Sequence, residues 1–220
     1  MIPKIIHNVW VSGPFKYKDY RFSWLWHNPD YSMMFHRPES LVKCIKCPET
    51  IRILYDDSVF WLLKMEIMKW YCLYEFGGIY ADTDMECLKN FDGMLNVASF
   101  AGIESPDGNI GNALMGACQH DKNVYNIYRY IVNAIVDDLA LCNKRPVRMC
   151  GERAAFIQAC MQQFEKIYQR AVFYPFDIVE LDKRDNDFPD AYTKHHWTGK
   201  SEGGWIEQAE KFLQNKKDTI

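Results

Sequence analysis

The hydrophobic pattern along the chain switches repeatedly between a period of two and a period near 3.6 residues. "KIIHNVWVSG" is β-branched, weakly alternating and ends at Gly13-Pro14, which predicts a first strand followed by a turn. Tyr20 to His27 predicts a short helix, and "TIRILYDD" predicts a second strand, Ile51 to Tyr55, closing on Asp56 and Asp57. From about Ser58 to Phe76, the residues Phe60, Leu63, Ile67, Trp70, Tyr71 and Tyr74 share roughly one helical face. Gly77 and Gly78 stop that helix, and Ile79-Tyr80-Ala81 reads as a short buried strand running into Asp82 and Asp84. Further on, "VASFAGIE" predicts a strand, a long helix begins near Lys122, and "MCGERAAFIQACMQQF" predicts another helix. "AVFYPFDIVEL" predicts a strand and "GGWIEQAEKFLQNKK" a terminal amphipathic helix.

Strands alternating with helices predict an α/β fold with a mainly parallel central sheet flanked by helices. No repeat, low-complexity tract or Ser/Gly linker divides the chain, so residues 1–220 read as one domain. Ligands of such sheets sit outside the carboxyl ends of strands, where Trp10, Asp56 and Asp82 are expected.

Composition narrows the class. With 220 residues, 48% hydrophobic and 25% charged, the chain can bury one well-filled core. A net charge of -3 argues against a nucleic-acid grip. The opening "MIPKIIHNVW" is too short and polar for a signal peptide, and no apolar run approaches a membrane span, so the expected location is cytoplasmic. The eight cysteines are scattered. "CIKC", Cys44 to Cys47, has the spacing of half a zinc knuckle without a second half, so unbonded thiols are expected there.

The acidic pair carries the chemistry. Residues two apart in a strand face the same way, so Asp82 and Asp84 converge if the extended chain continues that far. Two carboxylates with the remaining positions open suit Mg²⁺ or Mn²⁺ when a substrate supplies phosphates. Such a cation neutralises charge on a departing diphosphate. A bare D-x-D also arises as a turn cap beside a solvated acid.

Context favours the site. "IPKIIHNVWVSG" followed by "KMEIMKWYCLYEFGGIYADTDMECL" resembles the DXD-type sugar transferases of the GT-A fold. The nearest group in that resemblance is the yeast-type α-mannosyltransferases and bacterial capsule-sugar transferases, with the catalytic domains of large clostridial glucosylating toxins more distant. The resemblance covers Ile2–Gly13 and about Leu54–Leu88, and more loosely "NIGNALMGA" and "YTKHHWTGKSEGGW".

The resemblance implies a role for each matching residue. Trp10, flanked by Val9 and Val11, falls where the family stacks a ring on the nucleotide base, and Tyr80 falls beside the ribose. Asp82 falls where the first acid contacts sugar or ribose and assists the metal, and Asp84 where the second ligates Mn²⁺ or Mg²⁺. The family's helix carries an Asp and, three residues on, an Arg; here these are Glu66 and Lys69, for donor-sugar hydroxyls and phosphates, with altered reach and no bidentate fork. Read without the family, they are a simple i,i+3 ion pair.

His195, His196 and Trp197 match a late His-Trp element that closes over the diphosphate. Adjacent histidines alternate faces, so one of them is expected to face the site, to ligate the metal or hydrogen-bond a phosphate, and His196 is the expected metal ligand. Gly199, Gly203 and Gly204, with Ser201 and Trp205 spaced more widely than in the family, suggest a longer lid loop. Asn109 and Asn112, and Glu152 and Arg153, fall in regions that in the family line the donor–acceptor junction. The resemblance implies Asn112 for the donor or its phosphate and Glu152 for an acceptor hydroxyl; read without the family, they are turn or helix-cap residues.

The resulting expectation is a metal-dependent, retaining hexosyltransferase moving sugar from a nucleotide-diphosphate donor to a glycan or glycoprotein. A UDP-hexose is favoured because Trp10 between valines resembles uridine-stacking members; the alternatives are a GDP-mannose donor or a non-catalytic binding remnant of the fold. A two-carboxylate glycoside hydrolase fits less well, because hydrolases separate their acids across the scissile bond.

Overall fold

The computed structural model describes residues 1–11, 15, 18–141 and 152–198. The predicted terminal helix, the loop residues Gly199, Ser201, Gly203, Gly204 and Trp205, and the Gly13-Pro14 turn lie outside the described residues.

In chain order the elements are β1 (Ile5–Val9), α1 (Lys18–His27), β2 (Ser32–His36), α2 (Pro38–Leu41), α3 (Pro48–Tyr55) and α4 (Trp61–Phe76). They continue with β3 (Gly78–Ala81), β4 (Met85–Cys87), β5 (Ser99–Ile103), β6 (Ile110–Ala117), α5 (Lys122–Leu141) and α6 (Glu152–Met161). The last are β7 (Lys166–Tyr168), α7 (Arg170–Phe173) and β8 (Thr193–His195).

The central sheet has the order β2-β1-β3-β6-β5-β7, while β4 and β8 form a separate two-stranded ribbon. β1 is parallel to β2 and β3, and β5 is parallel to β7; β6 alone runs against its neighbours β3 and β5. The sheet is therefore mainly parallel, as expected of the α/β class. One face packs on α3, α4, α5 and α6 through residues such as Ile53, Ile67, Trp70, Ile127 and Ile157. The other carries Trp24, Phe91, Phe100, Phe173 and Tyr174. Among the described residues, no helix is long and apolar enough to cross a membrane.

The join between α4 and β3 depends on its glycines. Gly77 and Gly78 have φ of 65° and 102°, and a Cβ on Gly78 would stand 2.6 Å from the Ile5 carbonyl oxygen. Only glycine allows the chain to leave α4 and lie directly beside β1.

Two predicted strands are helices. Residues 51–55, read as a strand, belong to α3: Pro48 occupies its first turn, and Thr50, Ile53 and Leu54 share its buried face. The β-branched residues suggested a strand locally, but the i, i+3, i+4 burial prevails. Asp56 consequently ends a helix, not a strand, and its Oδ1 accepts from the Ser58 N–H and hydroxyl. In "AVFYPFDIVEL" the chain forms α7 and then a loop, because Phe173, Tyr174 and Phe176 are all fully buried where a strand would alternate. The strand is the preceding β7. β2 and β6 were not anticipated; "SMMFH" and "NIGNALMGA" lack a strict alternation, and they acquire strand form by pairing with β1, β3 and β5.

Candidate active site

β3 ends at Ala81, and the Asp82 N–H still donates to the Ala113 carbonyl of β6 at 2.7 Å. The chain then turns: the Met85 N–H donates to the Asp82 carbonyl at 3.0 Å and starts β4. The acids are thus brought together by a tight turn and not by the extended chain expected from spacing alone. β4 pairs with β8 in a register that sets Met85 opposite His195. This places His195 Nε2 3.2 Å from Asp84 Oδ1. Asp82, Asp84 and His195 present ligand atoms that all lie within 4.8 Å of one another.

Asp84 is the most tightly held. Its Oδ2 accepts from the Thr198 N–H at 2.9 Å and the Thr198 hydroxyl at 2.8 Å, and its carbonyl accepts from the His196 N–H at 3.0 Å. Burial opposes its charge, but His195 and the Thr198 donors outweigh burial and hold the carboxyl well below the usual carboxylate range. Asp82 goes the other way: burial pushes its pKa up, with Asp84 adding to the rise and Lys69 opposing it. Burial disfavours the His195 cation, yet Asp84 and Asp82 raise its pKa overall. One acid is therefore firmly ionised and the other is protonated more readily.

Behind the acids runs a polar chain. The Tyr80 hydroxyl donates to Asp82 Oδ1 at 2.5 Å from a fully buried ring. Lys69 Nζ lies 5.4 Å from that ring's centroid, 2.7 Å from Glu66 Oε1 and 3.5 Å from the Asn112 carbonyl. Asn112 Nδ2 in turn donates to Glu66 Oε2 at 3.3 Å. Lys69 is only 2% exposed, so the Glu66–Lys69 pair is an internal feature of the site and not the surface pair that spacing alone would suggest. Burial disfavours its charge, but Glu66 and Asp82 raise its pKa, and it remains a cation.

The other anticipated residues are placed less evenly. Trp10 is half-buried just beyond β1, its N–H on the His36 carbonyl at 2.9 Å and its ring 5.4 Å from that of Phe15. Val9 lies in the core and Val11 packs against it, so Trp10 is the ring of that trio left partly accessible. Trp197, at φ 52°, sets its ring centroid 4.0 Å from that of His195, tilted by 38°.

His196, taken from sequence as the metal ligand, points elsewhere: its Nε2 lies 2.8 Å from Glu86 Oε2 and its ring stacks on Tyr20 at 4.1 Å. The two histidines do alternate, and the register of β4 with β8 turns His195 toward the acids. Glu152 is exposed at the start of α6, and among the described residues no contact joins it to the acids. Its neighbour Arg153 pairs with Asp138 at 2.5 and 2.8 Å.

Two residues near the site were not anticipated. Thr198 directly follows the His-Trp element and clasps Asp84. Glu104 follows β5 at a strand's carboxyl end, the position rule that also marked Asp82. Burial pushes the Glu104 pKa up, and it feels the charges of His195, Asp82 and Lys69.

Residues 14–101 match the family described as the glycosyltransferase sugar-binding region containing a DXD motif. The chain is 30% identical over 118 residues to inositol phosphoceramide mannosyltransferase 3 of Schizosaccharomyces pombe (strain 972 / ATCC 24843), covering 52% of this chain and 33% of that protein. It is 31% identical over 107 residues to the uncharacterized glycosyltransferase L373 of Acanthamoeba polyphaga mimivirus, covering 46% of this chain and 42% of that protein. The match thus spans less than half the length of either curated relative. Among solved structures, the apo-form glycosyltransferase GlyE of Streptococcus pneumoniae TIGR4 superposes with a TM-score of 0.51 at 8% identity, covering 97% of this chain and 60% of that one, a likeness of fold. Asp82-Thr83-Asp84 lies inside the matched residues at the end of β3, so residues 14–101 resemble the DXD-containing sugar-binding region of glycosyltransferases, in a chain whose fold is of the GT-A kind.

Proposed function

We propose that residues 1–220 act as one catalytic domain, transferring a hexose from a nucleotide-diphosphate sugar to a glycan or glycoprotein with retention of configuration and with Mn²⁺ or Mg²⁺. The observation that carries this reading is the convergence of Asp82, Asp84 and His195 within 4.8 Å. Their donor set fits such a cation: two carboxylates, one of them firmly ionised, and an imidazole whose ring is already oriented. When bound, the cation would offset charge building on the diphosphate.

The chain's own groups do the rest. Thr198 fixes the Asp84 carboxylate, Tyr80 fixes that of Asp82, and Lys69 supplies a buried positive charge beside them. Glu66 and Asn112, already joined, offer an acceptor and a donor suited to sugar hydroxyls. Front-face attack needs no dedicated protein base.

For the donor base, Trp10 between valines supports a uridine nucleotide. The names of two relatives, both inositol phosphoceramide mannosyltransferases, support GDP-mannose as the second reading. Calorimetric titration of UDP, GDP, UDP-glucose and GDP-mannose, with and without Mn²⁺, on wild type and Asp84→Ala tests both. Manganese-dependent binding of one nucleotide class, lost in the variant, is expected. Absence of nucleotide binding with metal present would overturn the proposal.

A further inference from the structure

A second set of ligand-type side chains converges within the apolar layer between the sheet and α4. His7 of β1, His36 at the end of β2 and Cys72 of α4 are buried, and their ligand atoms all lie within 4.8 Å of one another. None of them belongs to the acidic site. His7 Nε2 lies 2.7 Å from the Gly77 carbonyl, and His7 Nδ1 lies 2.9 Å from His36 Nε2. A carbonyl only accepts, so the proton of the neutral His7 ring sits on Nε2 and its Nδ1 lone pair points at His36. Metal-bound imidazoles are held in this way, one nitrogen donating to a backbone carbonyl while the other faces the ion. Burial also keeps both rings neutral, with pKa values lowered to about 4.

The Cys44–Cys47 motif, which the acidic site leaves unused, lies outside that cluster, with Cys44 exposed. The Tyr71 hydroxyl donates to the Cys44 carbonyl at 2.7 Å, which pins Cys44 against α4 one residue from Cys72. Burial, with Cys44 adding to it, pushes the Cys72 thiol pKa up, and neither cysteine is in a disulfide. Cys47 is engaged elsewhere, 3.0 Å from Glu49 Oε2 and 3.0 Å from Arg129 Nη1.

We propose that His7, His36 and Cys72 form a buried site for zinc that ties β1 and β2 to α4, its fourth position filled by the exposed Cys44 from the loop before α3. Two ring nitrogens, each about 2.0 Å from a tetrahedral zinc, stand about 3.3 Å apart, so the histidine pair needs to open by only about 0.4 Å. Nitrogen and sulfur on the same ion stand about 3.6 Å apart, so Cys72, already within 4.8 Å of both rings, closes by about 1.2 Å at most, a side-chain adjustment. On binding, the two thiols lose their protons, and the His36 proton moves to Nδ1 to free Nε2. Zn²⁺ with the two thiolates and two neutral imidazoles carries no net charge, which suits the burial of His7, His36 and Cys72.

The test is zinc content, by mass spectrometry of the full chain purified from zinc-supplemented cells, together with the absorption spectrum of the cobalt(II)-substituted protein. Stoichiometric zinc that resists mild chelation, is retained in Asp84→Ala and is lost in Cys72→Ser is expected. Cobalt in the wild type is expected to show a thiolate-to-metal charge-transfer band and tetrahedral d–d bands. Zinc retained in Cys72→Ser, or wild-type cobalt spectra without the charge-transfer band, would overturn the site. The cobalt spectrum decides the matter even if Cys72→Ser does not fold. Retention in Asp84→Ala separates this site from the acidic one.

Discussion

His195 meets Asp84 across the ribbon of β4 and β8, Nε2 3.2 Å from Oδ1, while its neighbour His196 turns away to Glu86. Adjacent and chemically identical residues are thereby given different work by one register. His195→Ala is expected to weaken Mn²⁺ binding at least about tenfold, close to 1.4 kcal/mol, and His196→Ala to leave it within about twofold. Titration calorimetry with MnCl₂ checks this. The reverse ranking would return the ligand role to His196.

Thr198 supplies two of the donors on Asp84 Oδ2. Thr198→Val removes the hydroxyl but keeps the backbone N–H. Metal affinity is expected to fall about tenfold, as is usual when a ligand's outer hydrogen bond is removed. Thr198→Ser should recover most of it. Failure of serine to rescue would assign the effect to packing.

Lys69 is 2% exposed and answers Glu66 from within α4. Lys69→Met leaves that carboxylate without its cation, and a loss of about 3 kcal/mol in urea unfolding is expected. A change under about 1 kcal/mol would mean that Glu66 is solvated well enough to stand alone.

The His7–His36 pair makes stability depend on pH in the chelator-treated protein. Both folded pKa values are about 4, against 6.5 for an ordinary ring, so between those values the unfolded chain binds more protons. Stability is therefore greatest above pH 6.5 and declines as pH falls toward 4. Unfolding midpoints measured from pH 7.5 to 4.5 should fall in wild type and flatten in His36→Gln. A flat wild-type profile would contradict the buried neutral pair.

Gly78→Ala places a Cβ 2.6 Å from the Ile5 carbonyl oxygen at a φ of 102°. A destabilisation of about 2 kcal/mol or more is expected by denaturant titration. An unchanged midpoint would show that β1 and β3 can part without cost.

Much of this arrangement was legible in the chain itself. β1, α1, α4, β3, β5 and α5 follow from apolar spacing, and the Gly77-Gly78 break located the acids at a strand end. Local signals misled where two periods overlap: Ile51 to Tyr55 reads as a strand until Pro48 and the burial of Thr50, Ile53 and Leu54 make it α3. Phe173, Tyr174 and Phe176 read as strand residues, yet all are buried, Phe173 against Gly102 and Tyr174 against Gly111.

Sequence by itself determined which groups are available: two acids after a strand, a Glu and Lys three apart, a His-His-Trp, and a half-knuckle of cysteines. Periodicity is a property of neighbouring residues, so it is written in the chain. The choice of His195 over His196, the clasp by Thr198, the burial of Lys69 and the meeting of His7, His36 and Cys72 were decided only by tertiary structure. Each joins residues far apart in sequence through strand register or helix packing, and no local spacing encodes such a distance.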